Sequence, residues 1–76
     1  MKEEIIDGTR IEHNGDVDTG LRYLRNHWND AYVLETFENA RTSEDYQDSF
    51  KIDGVDGFYI LKRLGDRHYS LRWSSR

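Results

Sequence analysis

The sequence predicts a small α+β domain: an antiparallel sheet of four or five short strands with one main helix packed on one face. Three observations carry this reading. The last 19 residues hold two β-rich runs, Phe58–Leu64 and Arg67–Trp73, on either side of Gly65-Asp66. Residues 19–29 repeat apolar positions three or four apart. Residues 3–13 gather Ile5, Ile6 and Ile11 around Asp7-Gly8. At 76 residues without proline or repeats, the chain offers no linker, and residues 1–76 read as a single domain. That size is near the lower limit at which a core holds a fold alone.

The elements follow in order. Residues 3–13 form an extended segment, either one bulged strand or a tight hairpin turning at Asp7-Gly8. Asn14-Gly15 closes it as a turn. Asp18 or Thr19 offers a helix N-cap, since a short side-chain oxygen accepts from the orphan N–H groups of the first turn. Leu21, Leu24 and Trp28 then line one helical face. Residues 31–38 (AYVLETFE) are rich in β-branched and aromatic side chains, which favours a strand; a helix carrying Leu34, Phe37 and Ala40 is the alternative. Residues 39–49 read as a polar acidic loop with one helical turn. Phe50 and Ile52 alternate with Ser49 and Lys51 as a short strand, followed by turns at Asp53-Gly54 and Asp56-Gly57.

A C-terminal β-hairpin completes the sheet. A glycine opening a two-residue loop suits a type II′ turn, which sets Leu64 opposite Arg67 and Phe58 opposite Trp73. Alternation then places Phe58, Ile60, Tyr69, Leu71 and Trp73 on the helix side. Tyr59, Leu61, Arg63, His68, Ser70 and Arg72 fall on the other. The expected core is Leu21, Leu24, Trp28, Phe58, Ile60, Leu71 and Trp73.

Charge is unevenly spread. Residues 1–57 carry 14 acidic against 6 basic side chains, whereas residues 58–76 carry 5 basic ones against Asp66 alone. Such asymmetry implies either internal pairing of the two parts or two faces of opposite sign. There is no cysteine, which excludes disulfides and thiolate chemistry. No apolar run approaches the roughly 20 residues needed to cross a bilayer, so no membrane partner is expected. The acidic start, Met1 to Asp7, lacks the apolar stretch of a secretory signal, and the expected location is cytoplasmic.

Two constellations are candidate binding sites. The acidic segment Glu35, Glu38, Glu44, Asp45 and Asp48, with Tyr46 among them, suits a basic surface on another protein, as in small phage- or plasmid-type inhibitors that imitate nucleic-acid phosphates. The outward hairpin face, with Tyr59 beside Arg63, His68 and Arg72, suits base stacking and phosphate contact. Overall acidity weighs against that second reading, because phosphate affinity depends on neutralising cations. Self-association through an exposed edge strand, giving a homodimer, is the third reading.

Other patterns carry less. Arg22, Arg25 and His27 on the helix lack the partner helix of a helix-turn-helix. Asn14, Asp16 and Asp18 resemble the opening of a calcium loop, but Thr19 and Arg25 stand where glycine and glutamate are required. His13, His27 and His68 match no zinc spacing. No nucleophile elbow or phosphate loop is present. The sequence therefore points to a non-enzymatic protein-binding domain with no metal or cofactor.

Overall fold

The computed structural model describes residues 1–75. Its elements are β1 (Lys2–Ile6), β2 (Thr9–His13), α1 (Asp18–Asn26), α2 (Ala31–Thr42), β3 (Gln47–Phe50), β4 (Phe58–Gly65) and β5 (His68–Ser74). The strands form one sheet in the order β1-β2-β5-β4-β3. All neighbours are antiparallel except β2 and β5, which run parallel at the centre, with Ile11 opposite Tyr69. The expected α+β class holds, but the sheet is mixed and two helices are present.

The N-terminal segment is a hairpin. Asp7 and Gly8 both adopt positive φ, 49° and 80°, the conformation of a two-residue turn that matches strand twist and favours Asp-Gly. Alternation turns Ile6, Thr9, Ile11 and His13 inward, where all are buried. After the Asn14–Asp16 turn, α1 begins at Asp18 with Val17 at the N-cap, and no side chain caps it. The expected Asp18 or Thr19 cap is thus not formed. Val17 is instead 1% exposed, so the helix start is fixed by burial.

Residues 31–38 are helical, which corrects the strand expectation. Val33, Thr36 and Ala40 are the buried positions of α2. Their spacing of three and four puts them on one face, so packing against β3 and β4 overrides the strand-prone composition. The helix extends to Thr42, absorbing the first part of the expected loop, and β3 ends at Phe50 without reaching Ile52.

The C-terminal hairpin forms, but one residue out of the expected register. Gly65 pairs with His68, so the loop residues are Asp66 and Arg67, and a bulge between Arg63 and Gly65 accommodates Leu64. Leu61 then faces Leu71, and Tyr59 faces Trp73. A one-residue slip exchanges a strand's faces. Tyr59 and Leu61 are buried, while Phe58 and Ile60 are half-buried on the opposite face and Trp73 is 42% exposed. Both alternations of β4 are equally apolar, so the partner layer decides between them. Gly20 of α1 makes that decision: the Tyr59 ring lies where a Cβ at position 20 would stand, 2.8 Å away.

The core is therefore a two-layer one. Leu21, Leu24, Val33 and Ala40 from the helices meet Ile6, Ile11, Phe50, Tyr59, Leu61, Tyr69 and Leu71 from one sheet face. Tyr23, Phe50 and Tyr59 stack in series at 5.8 and 5.4 Å.

Candidate functional site

The acidic segment maps onto the outer face of α2 and the turn that follows it. Glu35 and Glu38 lie three apart on α2 and are exposed, opposite the Val33–Thr36–Ala40 face. Glu38 pairs with Arg41, which holds the already very basic guanidinium more firmly protonated through hydrogen bonding and charge. Glu44 and Asp45 are exposed in the turn, where the Ser43 hydroxyl donates to Asp45 at 3.2 Å. The same hydroxyl accepts from the Gln47 N–H at 3.0 Å, pinning the turn to the start of β3. Asp48 is half-buried and accepts from the Asn39 amide at 3.2 Å, so it ties β3 to α2.

Tyr46 differs from its neighbours. It is 52% exposed and sits at φ 56°, a left-handed conformation unusual for an aromatic residue. Its carbonyl accepts from the Arg63 N–H at 2.7 Å, which fixes the backbone while the ring points outward. The result is an exposed aromatic on a strained, hydrogen-bonded backbone, directly following Glu44 and Asp45.

The second expected constellation is not assembled. Tyr59 is 3% exposed beneath α1 and offers no ring for stacking. Arg63, opposite Tyr69, lies on the helix side of the sheet. His68 and Arg72 alternate with the buried Tyr69 and Leu71 and so occupy the open face. The four residues thus divide between the two faces.

The open face carries an ionic network. His68 contacts the Glu12 carboxylate, Arg10 Nη2 reaches His68 Nε2 at 3.4 Å, and Arg10 Nε lies 3.3 Å from Glu3 Oε2. The donor atoms of Glu3, Glu12 and His68 lie within 4.8 Å of one another, the spacing of a cation site. The Arg10 guanidinium already supplies positive charge there, and a metal ion would have to displace it.

On the helix side, His13 is buried and accepts from the Gly15 N–H at Nδ1, 3.1 Å. Its proton is thereby assigned to Nε2, 3.7 Å from Glu4 Oε2. Glu4 also accepts from Arg25 at 2.7 Å. Chiefly because of that hydrogen bond, the Glu4 carboxyl is held below its ordinary value.

Sequence reasoning missed a cleft of about 230 Å³ at the end of the sheet where both hairpin turns meet α2. Trp28, Phe37 and Tyr69 wall it, and Arg41, Arg63 and Arg67 are its cations. Its residues come from β2, α2, β4, β5 and the links between elements, so no local motif announces it. The one available signal was Arg67, next to the expected Gly65-Asp66 turn. A larger cleft of about 410 Å³ lies at the opposite end, between the Asn14–Asp16 turn and Arg72 and Trp73.

Comparison with protein-family models, with curated proteins and with solved structures found no match for this chain. No helix among the described residues is long and apolar enough to cross a membrane.

Proposed function

We propose that this chain is a small non-enzymatic binding protein that engages a basic surface of a larger protein through the acidic α2–β3 edge, with Tyr46 as the aromatic anchor. The observation that carries the reading is Tyr46 itself, exposed at left-handed φ directly after the exposed carboxylates of Glu44 and Asp45. Interfaces draw most of their energy from a few aromatic and arginine anchors, while surrounding charge steers the encounter. Glu35, Glu38, Glu44 and Asp45 supply that charge, and Asp48 positions the turn. An inhibitor that competes with an anionic ligand for its target's basic groove fits this arrangement.

The test is affinity capture from host lysate, with and without nuclease, followed by mass spectrometry and by titration against the captured protein. The expected result is a stoichiometric, nuclease-resistant partner whose affinity falls steeply with salt. Neutralising Glu35, Glu38, Glu44 and Asp45 to the amides should lower the association rate. Tyr46→Ala should lower affinity by about tenfold or more, the cost of losing one aromatic anchor. Recovery of nucleic acid alone, or a partner indifferent to all five changes, would overturn the reading.

A further inference from the structure

The cleft beside α2 has a chemistry of its own. Trp28 and Phe37 meet edge to face at 5.0 Å, and Phe37 and Tyr69 do so at 4.8 Å, giving a continuous aromatic wall. The Trp28 indole N–H donates to Asp7 at 3.1 Å, which fixes that ring against the first hairpin turn. Leu34, 52% exposed, forms the lip. Around this wall stand Arg41, Arg63 and Arg67, with Thr9 and the opposing carboxylate of Asp66.

Two of these cations are left without a counter-ion among the described residues, and one of them is placed at a structural cost. Arg67 occupies the turn at φ 52°, a position glycine fills more cheaply. Its guanidinium lies over the other turn, with Nη1 3.2 Å from the place a Cβ on Gly8 would take. Arg63 precedes the Leu64 bulge, a device that re-aims side chains at the end of a strand. Neither arginine forms an ion pair among the described residues, although the chain holds more acids than bases. Strain kept at a cation beside an aromatic wall is the pattern of a binding site.

We propose that this cleft binds a small aromatic anion: one ring bearing a phosphate or carboxylate group. Planar guanidinium forks match either anion through paired hydrogen bonds. The aromatic wall offers the ring edge-to-face and stacking contacts. At about 230 Å³ the cleft is smaller than drug-sized pockets, which suits a single ring and one charged group. This site is distinct from the Tyr46 projection, touching the acidic edge only through the Arg41–Glu38 pair, and the probes and the Arg63 and Arg67 variants test it without reference to that edge.

Phenyl phosphate is the probe, titrated into the ¹⁵N-labelled chain and followed by NMR. Saturable shifts are expected at the Trp28 indole and the Leu34 and Arg67 amides. The Trp73 indole, at the far end of β5, should remain still. Inorganic phosphate and phenol should each bind about tenfold more weakly or worse, since each supplies half of the contacts. Arg67→Gly relieves the left-handed strain, so the variant should keep or raise its melting temperature while losing about tenfold in affinity. Arg63→Gln should lose affinity to a similar extent. Blocked phosphotyrosine binding more tightly than phenyl phosphate would assign the ring to a protein side chain; equal or weaker binding assigns it to a free small molecule. No saturable shift, equal affinity for inorganic phosphate, or undiminished binding in both arginine variants would overturn the proposal.

Discussion

Replacing Gly20 by alanine tests how the two layers are joined. The added Cβ would stand 2.8 Å from Cδ1 and Cε1 of Tyr59 and 3.1 Å from Cζ. Ordinary carbon–carbon contact is about 3.5–4.0 Å, so ring or helix must retreat by roughly 0.7 Å. The ring has little room to move, being 3% exposed and stacked on Phe50 at 5.4 Å. Overpacking of this kind costs about 1–3 kcal/mol. Against it stands the helix preference for alanine over glycine, at most about 1 kcal/mol. With that preference fully realised the net is a destabilisation of about 0–2 kcal/mol, and each kcal/mol lowers the melting temperature of a domain this size by about 4–8 °C. Circular dichroism melts of Gly20→Ala should show that drop. In a Tyr59→Leu background, where the ring is gone, the same substitution should be neutral or stabilising. A higher melting temperature for Gly20→Ala in the otherwise unchanged chain would refute the close approach of α1 to Tyr59.

The hairpin register has its own test, because it decides which apolar residues of β4 are inside. Leu61→Ala should cost about 2–5 kcal/mol in urea unfolding and Ile60→Ala about 1 or less, and the reverse ranking would restore the register expected from the turn alone. Glu4 makes stability depend on acid. Its pKa is lowered in the fold, so its contribution is present above its ordinary value near 4.5 and is lost as pH falls through the lowered folded value. Melts of the unaltered chain and of Arg25→Gln should therefore differ at neutral pH and converge in acid. A gap that persists after Glu4 is protonated would show that Arg25 acts by packing.

Local chemistry made some elements readable and tertiary packing made others unreadable. Asp7-Gly8 announced its turn because both positions require positive φ, and α1 announced itself through Leu21 and Leu24. Residues 31–38 did not, because Val33, Tyr32 and Phe37 have strand-like preferences that burial of the Val33–Thr36–Ala40 face overrides. The parallel pairing of β2 with β5 joins segments more than 50 residues apart and leaves no local trace. The register of β4 failed for a sharper reason. Phe58-Tyr59-Ile60-Leu61 is apolar on both faces, and the residue that breaks the tie, Gly20, lies in another element. The acidic edge was legible because its carboxylates are close in sequence. The arginine cleft was not, because Thr9, Trp28, Phe37, Arg63 and Arg67 meet only after the sheet closes.

The placement of charge shows that little of it on these surfaces is taken up by ion pairs between the acidic and basic parts of the chain. The uneven sequence invited internal pairing, yet Arg10–Glu3, Arg25–Glu4, Arg41–Glu38 and His27–Asp30 all form within the first 57 residues. His68–Glu12 alone among the described ion pairs joins the acidic part to the basic one. Lys62, Arg63, Arg67 and Arg72 enter none of them. Exposed pairs contribute about 0–1 kcal/mol each, so pairing these cations would add little to stability and leaving them free costs little. Unpaired charge does, however, shape the field that an approaching anion or basic protein meets. Arg63 and Arg67 at an aromatic cleft, and Glu44 and Asp45 beside Tyr46, enter no ion pair among the described residues and give one small domain two surfaces of opposite sign. Glu38 is bonded to Arg41 of the cleft, so the separating change is at Glu44 and Asp45: neutralising these two should leave binding at the cleft intact, which distinguishes two sites from a single diffuse electrostatic effect.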